Sequence, residues 1–557
     1  AEGRKQRSDD RTEREGSKRS RCTVVHPDRT MGVLTRAFLA TVLAFVLAVL
    51  LLPDPELGLT ELDLSSLSVP DVDPAAVAAE VSALVQFQTV SDGENLPSHL
   101  SASSQKEMLG AHTFLRKTYA ALFGAAKVEV VNDFSLLMTL QGSDASLDPA
   151  LVICHLDVVP IEAGTEGDWG AKAGCPDCSP FSGKIFEGQV WGRGALDMKT
   201  FCVGFLHAAD ALVRREHGFK PVRTVLMAIG HDEEKGGGNG HGAIAALLQE
   251  RGVRVEMLLD EGTPTIAAGS AKLNSKFDLA LVSTAQKGYA SLDLSVNMTG
   301  GHAGTPDDAG TSVSILAEAV ARLQASARPP RVRRPVSDML AIVAPFQPPL
   351  QKIIFKRQTF FGGALARLLA KTSPKTAAMV RTTSAVTMFH GGVKDHILPQ
   401  FAIATVNNRI LPGETVEEVK EHARRAIADP RVHVSIHTGG AEPREPAGVS
   451  DAGGLGFQII AGAIRQAQGG KVVVSPSLFP MASDARHYEP RLATGRVSCY
   501  YPWRFTNEDM ATIHGTDERV LIANAVQAVE FFSFFLQAAS AAPDAFPQRP
   551  LNHRVVV

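Results

Sequence analysis

The chain has no charge excess to speak of. Its 557 residues hold 56 Lys and Arg against 59 Asp and Glu, a formal net charge of −3. A phosphate backbone is held by clustered basic charge, so bulk electrostatics argue against a nucleic-acid partner. No period of roughly 20 to 50 residues recurs, which excludes a repeat array. Cysteine is sparse: six residues, a number compatible with a secretory compartment. What the chain has is apolar material. With 45% hydrophobic and 21% charged residues it can bury at least two cores.

Long apolar runs are also nearly absent, with one exception near the start. Residues 1 to 30 are polar and without apolar periodicity, and are read as disordered; Met31 offers an alternative start, with those residues as an upstream extension. Ala37 to Leu52 then gives 16 residues without a charge, and counting from Gly32 gives 21, long enough to span a bilayer if Arg36 snorkels. No small-x-small cleavage site precedes Pro53, which favours a retained anchor over a removed signal. A buried helix is the remaining reading. Basic residues before the segment keep the N-terminus cytosolic and place the rest in a lumen, vacuolar or lysosomal, or outside the cell, anchored or secreted.

The body of the chain reads as α/β. Pro74 to Gln88 has helical spacing, Lys127 to Val131 and Leu136 to Gln141 have strand character, and from Leu151 to Asp260 the order is strand, helix, strand, helix, strand. Alternation of this kind predicts a mostly parallel sheet covered by helices, with ligands at the strands' carboxyl ends. After Lys287 the rhythm changes. Strands at Ala290 to Met298, Ser384 to Phe389, Phe401 to Ile410 and Val432 to Ile436, with helices at Ser312 to Ala325 and Val416 to Ala428, give a βαββαβ order, that of a ferredoxin-like α+β domain. The first sheet resumes near Gly456.

Chemistry-bearing residues gather at those strand ends. In Ile229-Gly230-His231-Asp232-Glu233-Glu234-Lys235-Gly236-Gly237 two adjacent carboxylates, Glu233 and Glu234, follow an apolar run. One can bind a metal while its neighbour moves a proton, although a solvated acidic loop reads the same in isolation. In Leu151-Val152-Ile153-Cys154-His155-Leu156-Asp157-Val158-Val159-Pro160, alternation puts His155 and Asp157 on one face. His155 can ligate a metal through one nitrogen while Asp157 fixes the other; a strand-end histidine satisfied by a nearby acid is the alternative. A glycine-punctuated turn, Val190 to Lys199, delivers Asp197 just before a helical stretch, and a carboxylate there can bridge two cations. Val253 to Leu259 ends in Asp260-Glu261-Gly262, and His514 is followed by Gly515 in Ala511 to Arg519. These donors suit a two-metal site, its ions roughly 3.5 to 4 Å apart.

These motifs, in this order from about Asp71 to about Leu536, resemble the di-zinc exopeptidase and aminoacylase family, which includes carboxypeptidase S (Gly-Xaa carboxypeptidase) and the secreted N-fatty-acyl-amino-acid synthase/hydrolase. The resemblance implies two Zn2+ per subunit. Asp197 would bridge both ions, His155 and Asp260 would complete one, and Glu234 and His514 the other. Glu233 would be the general base acting on a metal-bridging water, with Asp157 behind His155, and a cis peptide would follow Asp197. The resemblance also implies the domain plan: 1–70 N-terminus and apolar segment, 71–286 first catalytic part, 287–440 an inserted lid that also dimerises, 441–541 second catalytic part, 542–557 a tail. In Gly300-Gly301-His302-Ala303-Gly304-Thr305-Pro306, His302 would stabilise the tetrahedral oxyanion, in the partner subunit of a homodimer.

Asn407-Asn408-Arg409 ends a strand of that lid. Arg409, with Asn407 beside it, can grip a substrate carboxylate through paired hydrogen bonds; a surface salt bridge is the other reading. Two positions depart from the family pattern. Gln286 stands where Glu is usual in Glu-Lys-Gly, and His396 where Asn is usual in Asp395-His396-Ile397-Leu398-Pro399, so lid closure and substrate choice are what they affect. A long insertion, Arg331 to Arg381, is rich in Lys and Arg with Phe346, Ile353, Ile354, Phe355, Phe360 and Phe361 interleaved. It reads as amphipathic helix packed on its own domain, or as a lining for an acyl chain or a membrane surface. Among the cysteines, Cys175 and Cys178 read as a small disulfide or free thiols in preference to a zinc or redox motif, Cys154 as core packing, and Cys22, Cys202 and Cys499 as unpaired.

The resemblance supports two substrate readings on one site: short peptides with a free C-terminal carboxylate, as in a carboxypeptidase S-like metallopeptidase, or N-acyl amino acids. A catalytically dead binding module would have lost a ligand or Glu233, and none is missing.

Overall fold

The structure is a computed structural model that describes residues 57–551 except 94–97, 216, 271–272, 274–275, 307, 439–441 and 470, together with 37, 38, 40, 41 and 44. Contacts divide the chain into Ala1–Asp54 and Pro55–Val557. In the first unit Ala37, Phe38, Ala40, Thr41 and Ala44 are helical; the other residues of the apolar segment 37–52, and residues 1–30, lie outside the described residues.

In the second unit the chain runs first through helices α1 (Pro74–Val85) and α2 (Ala102–Thr118), then β1 (Lys127–Val131), β2 (Ser135–Leu140), β3 (Ala150–His155), α3 (Thr200–Val213), β4 (Val225–Gly230), α4 (His241–Glu250), β5 (Met257–Ile266) and β6 (Asp278–Gln286). The expected βαββαβ segment follows as β7 (Gly288–Asn297), α5 (Ser312–Ala325), four inserted helices α6 (Val336–Val343), α7 (Pro349–Lys356), α8 (Gln358–Thr372) and α9 (Pro374–Val380), then β8 (Thr383–Gly391), β9 (Phe401–Ile410), α10 (Val416–Ile427) and β10 (Val432–Ile436). Helix α11 (Leu455–Gln468), β11 (Val472–Phe479), β12 (Val497–Phe505) and α12 (Ile522–Ala539) complete the first sheet.

That sheet has eight strands in the order β11-β6-β12-β5-β3-β4-β2-β1. The expectation of a mostly parallel sheet needs correction: β11–β6, β12–β5, β5–β3 and β3–β4 pair parallel, whereas β12–β6, β4–β2 and β2–β1 are antiparallel, so the sheet is mixed. The connection from β1 to β2 is only Asn132 to Phe134, a hairpin too short for the crossover that parallel pairing requires. The site needs only the parallel centre, where strand ends line up on one edge. Those central strands are buried on both faces, which their unbroken apolar runs anticipate. Val152 and Cys154 of β3 join the core under α1, α3, α11 and α12, while Leu151 and Ile153 join the core under α4.

Helix α12 is, among the described residues, the one helix long and apolar enough to cross a membrane, but it lies in the core. Phe532 meets Phe201 of α3 edge-on at 4.9 Å, a contact worth about 0.5–1.5 kcal/mol beyond the area it buries. Gly204 lets the two helices approach, since a Cβ there would lie 2.8 Å from that of Ala528.

The βαββαβ segment forms a four-stranded antiparallel sheet, β8-β9-β7-β10, packed through Leu292, Leu294 and Val406 on Ile315, Leu316, Val419 and Ala423 of α5 and α10. Thr311 and Thr415 cap the two helices in reciprocal pairs with Ser314 and Glu418. The segment leaves and re-enters the large sheet at one place: the Ser450 N–H donates to Thr284 O at 2.7 Å, and Tyr289 bridges Arg444. The inserted helices correct another expectation. They do not pack mainly on the four-stranded sheet; Val336, Met339, Leu340 and Val343 of α6 cluster with Leu279 and Ala285 of β6 and with Val473 and Leu478 of β11. Strand β11 is the edge of the large sheet, and α6 covers the face of it that α4 does not reach, which blunts the edge.

Among the described residues there are two disulfides. Cys175 and Cys178 close the small loop, as one of the sequence readings had it, and Cys154 is bonded to Cys202, residues expected to be core packing and unpaired. Cys154 does lie on the core face, and α3 brings Cys202 over it. Replacing both Cys154 and Cys202 with Ala is expected to lower the unfolding free energy by about 2–4 kcal/mol, read from the denaturant midpoint. Unchanged stability would mean that these sulfurs are not bonded in the folded protein.

Candidate metal centre

His155, the last residue of β3, is 1% exposed. Its Nδ1 donates to the Asp157 carbonyl oxygen at 2.9 Å and lies 3.4 Å from the Asp157 carboxylate, so Nε2 is the nitrogen left for a ligand. Nε2 points at Asp197 Oδ1, 3.3 Å away, and at Glu261 Oε1, 3.8 Å away. The second oxygen of Asp197, Oδ2, lies 3.0 Å from His514 Nε2, which is 3.2 Å from Glu234 Oε1. One carboxylate therefore faces a histidine with each of its oxygens, as a bridging ligand must. Ligand atoms of His155, Asp197 and Glu234 lie within 4.8 Å of one another, as do those of His155, Glu233 and Glu261. His155 Nε2 and Glu234 Oε1 are buried without a properly aimed hydrogen bond. Orphaned donors and acceptors of this kind, on imidazole and carboxylate groups only, fit divalent cations such as zinc.

The electrostatics carry the same message. Burial pushes Glu234 up to about 7 even though His514 opposes it, raises Glu261 well above its ordinary value, and raises Glu233 as well. The carboxylates of Asp197 and Glu234 hold His514 up to about 10. Burial disfavours charge on His155, but Asp157, Asp197 and Glu261 outweigh it and hold its pKa well above the ordinary value. Asp197, between His155 and His514, and Asp157, beside His155, are instead held below their ordinary values although burial opposes this. The cluster is rich in acids and short of positive charge.

Local structure explains how these side chains are aimed. Asp157 accepts the backbone N–H groups of Glu233 and Glu234 at 3.0 and 3.1 Å, tying the β4 end to the β3 end. Glu518, fully buried, accepts the N–H groups of Gly194, Leu196 and Asp197 through one oxygen and the Arg193 guanidinium, at 2.6 Å, through the other. Arg193 also donates to the carbonyl of His514. One buried ion pair thus positions both Asp197 and the loop of His514, which adopts φ of 61°. The peptide Asp197-Met198 is cis, as the family resemblance implied. Sequence reasoning had no role for Glu518, although it lies inside a quoted motif, and none for Tyr501, whose hydroxyl lies within hydrogen-bond distance of Asp197 and Glu261.

One ligand assignment changes. Asp260 does not face His155: its carboxylate accepts the N–H of Ala485 at 2.8 Å and that of Glu261 at 2.8 Å. Glu261 takes the place instead. The reason is a β-bulge, because β12 pairs Cys499 with Asp260 and then Tyr500 with Thr263, leaving Glu261 and Gly262 without partners. The regular pairing breaks there and the two extra residues re-aim the Glu261 side chain. Gly262 permits it, since a Cβ would sit 2.4 Å from the Cys499 carbonyl carbon.

The residues expected to meet substrate lie apart from this cluster. His302 is exposed, accepts the N–H of Gly304, and makes no hydrogen bond or ion pair to the cluster. Asn407 donates weakly to Ser291 Oγ at 3.3 Å, and Arg409 stacks on the Tyr289 ring at 5.2 Å. Gln286 bonds Cys499 of the large sheet and Ser483 in the loop after β11, and His396 is exposed next to Asp395. Glu261→Gln is expected to weaken cation binding by more than about 100-fold and Asp260→Asn by about tenfold, since losing a ligand exceeds losing its support. Metal titration of the two variants checks the order, and the reverse order would restore Asp260 as the ligand.

Comparison with known proteins agrees with this geometry. Residues 151–538 match Peptidase family M20/M25/M40. The chain is 35% identical over 438 residues to the N-fatty-acyl-amino acid synthase/hydrolase PM20D1 of Mus musculus, covering 78% of this chain and 83% of that one. It is 31% identical over 462 residues to the probable carboxypeptidase S-like 2 of Dictyostelium discoideum, covering 82% and 83%. Its fold is similar to that of the M20 family metallo-carboxypeptidase Sso-CP2 from Sulfolobus solfataricus, with a TM-score of 0.59 at 15% identity over 83% of this chain and 99% of that one. Human carnosine dipeptidase 1 is similar too, with a TM-score of 0.57 at 15% identity over 85% and 100%. The chain therefore belongs to peptidase family M20/M25/M40 and is a metal-dependent hydrolase of that family.

Proposed function

We propose that the protein hydrolyses the amide bond that precedes a C-terminal amino acid with a free carboxylate, using two zinc ions per subunit. His155, Asp197 and Glu261 would hold one ion, and Asp197, Glu234 and His514 the other. The observation that carries this reading is the placement of Asp197 between two histidines, each backed by a further carboxylate. Bound there, the cations would polarise the amide carbonyl and lower the pKa of a water toward neutrality.

The rest is the work of the chain. Among the described residues Glu233 accepts no backbone N–H through its carboxylate; burial raises its pKa from the ordinary value, while Arg486, 3.4 Å away, opposes this. A base tuned in that direction keeps the proton it takes from water long enough to return it to the leaving amine. Asp157 fixes the main chain of Glu233, so the carboxylate swings from a rigid point. Arg409 meets the substrate carboxylate and sets the amide in register with Glu233. The exposed His302, without a bond to this chain's own cluster, supports a role at the site of a second copy, in a homodimer joined through the βαββαβ segment acting as a lid. The two disulfides support an oxidising compartment, and with it a lumenal or extracellular location behind the N-terminal apolar segment.

Whether the acyl side is an amino acid or a fatty acid is the open choice within this reaction, and the likeness to the mouse synthase/hydrolase favours testing both. Glu233→Gln is expected to retain cations and thermal stability while kcat falls by about 10²–10⁴-fold. The measurement is hydrolysis of Gly-Xaa dipeptides and N-oleoyl amino acids side by side, with metal content determined on the same samples. Near-normal turnover by the variant would remove Glu233 from the mechanism.

A further inference from the structure

Beside the pocket lies a second concentration of charge, this one positive. Tyr289 of β7 pairs with Arg409 of β9 on one side and bridges Arg444 on the other, so the three side chains project in a row from one face of the sheet. The Arg409 guanidinium lies over the Tyr289 ring and, among the described residues, donates no hydrogen bond to the protein. Arg444 donates a single long one, from Nη2 to the Lys287 carbonyl at 3.5 Å.

Neighbouring groups do not answer these cations. Glu445, next in the chain to Arg444, turns its carboxylate to the N–H of Val416 at the start of α10. Arg486 is nearby but has its own acids, Glu233 at 3.4 Å and Asp484 at 3.5 Å. The ammonium of Lys287 points the other way, to the carbonyls of Ala378 and Arg381. Burial, then the charges of Arg486 and Arg409, bring Arg444 down to about 10, and burial lowers Arg409 as well. A guanidinium carries five N–H donors in a planar fork that fits a carboxylate edge-on. Two such forks stand here, half-buried, nearly without acceptors. A single substrate carboxylate on Arg409 neutralises one and leaves the charge of Arg444 unmatched next to it.

We propose that Arg409 and Arg444 form a dicarboxylate subsite, so that the released amino acid the protein prefers is acidic, its α-carboxylate on Arg409 and its side-chain carboxylate on Arg444. This rests on the proposed amide hydrolysis only in placing the leaving amino acid at Arg409. A neutral side chain there would desolvate Arg444 without a partner, and buried unpaired charge is what recognition sites reject most strongly.

Two arms test it. In the first, substrates with one acyl group and either glutamate or glutamine as the released residue are compared on the cation-loaded protein. A kcat/KM ratio of about tenfold or more in favour of glutamate is expected, carried mainly by KM. Arg444→Gln should bring that ratio close to one and Arg444→Lys should keep part of it. The Arg444 main chain, which makes the bridge to Tyr289, is unaltered in both variants, so thermal midpoints should match the parent. A parent ratio at or below one, or an Arg444→Gln variant that loses the same factor on both substrates, overturns the subsite. In the second arm, Glu233→Gln protein is titrated calorimetrically with N-acetylglutamate and N-acetylglutamine. Tighter binding of N-acetylglutamate that Arg444→Gln abolishes supports the subsite even if neither substrate is turned over, an outcome that would count against the hydrolase reading alone. Equal binding of the two overturns the subsite whatever the turnover.

Discussion

Carboxylates crowd together at one end of the large sheet, and the rest of the catalytic part is arranged around their repulsion. Asp197, Glu233, Glu234 and Glu261 approach a single buried point, with Asp157 and Asp260 just behind. Two unit charges about 4 Å apart repel by about 4 kcal/mol at an effective dielectric constant of about 20. A fold worth only about 5–15 kcal/mol in total cannot carry several such pairs without compensation. Cations supply it in the working protein. Histidine protons and protonated acids are the substitutes that protein atoms alone can offer, and the raised pKa values of Glu234, Glu261 and His514 record that substitution.

The acids divide into two kinds by what they accept. Asp157, Asp232, Asp260 and Glu518 each accept backbone N–H groups, and so work as fasteners between strand ends and loops. Among the described residues the carboxylates of Glu233, Glu234, Glu261 and Asp197 accept no backbone N–H, which leaves their lone pairs for chemistry. The same division separates Asp260 from Glu261 although they are adjacent. It also shows why Glu518 matters at a distance: by gathering three N–H groups of the Gly194–Asp197 turn it sets the bridging carboxylate, and through Arg193 it sets the histidine on the far side.

Much of this was legible in the sequence, because the relevant side chains sit where an apolar run stops and a glycine or an acid begins. His155, Asp197, Glu233, Glu234 and His514 come together from four separated segments, and the βαββαβ order reads directly from alternating periodicities. Asp260 was misassigned because a bulge is a property of two strands: nothing in Asp260-Glu261-Gly262 alone tells that β12 skips a pair of residues. The Cys154–Cys202 bond was missed for a similar reason, since it joins a strand to a helix packed on it and leaves no local spacing to recognise. The antiparallel edges of the sheet and the docking of α6 on β11 likewise depend on partners distant in sequence. The arginine row reads only in the structure, where Tyr289 brings Arg409 and Arg444 to opposite flanks of one strand.

Strand β12 lies between β6 and β5 in the large sheet, yet the chain is made in the order β5, β6, βαββαβ segment and only then β11 and β12. A growing polypeptide therefore exposes its acidic strand ends long before it owns the filler strand, Tyr501 or His514. Until roughly the final tenth has emerged, the hydrolytic apparatus is unfinished and inert. The order of synthesis alone thus keeps this hydrolase from acting before nearly the whole of it has been made.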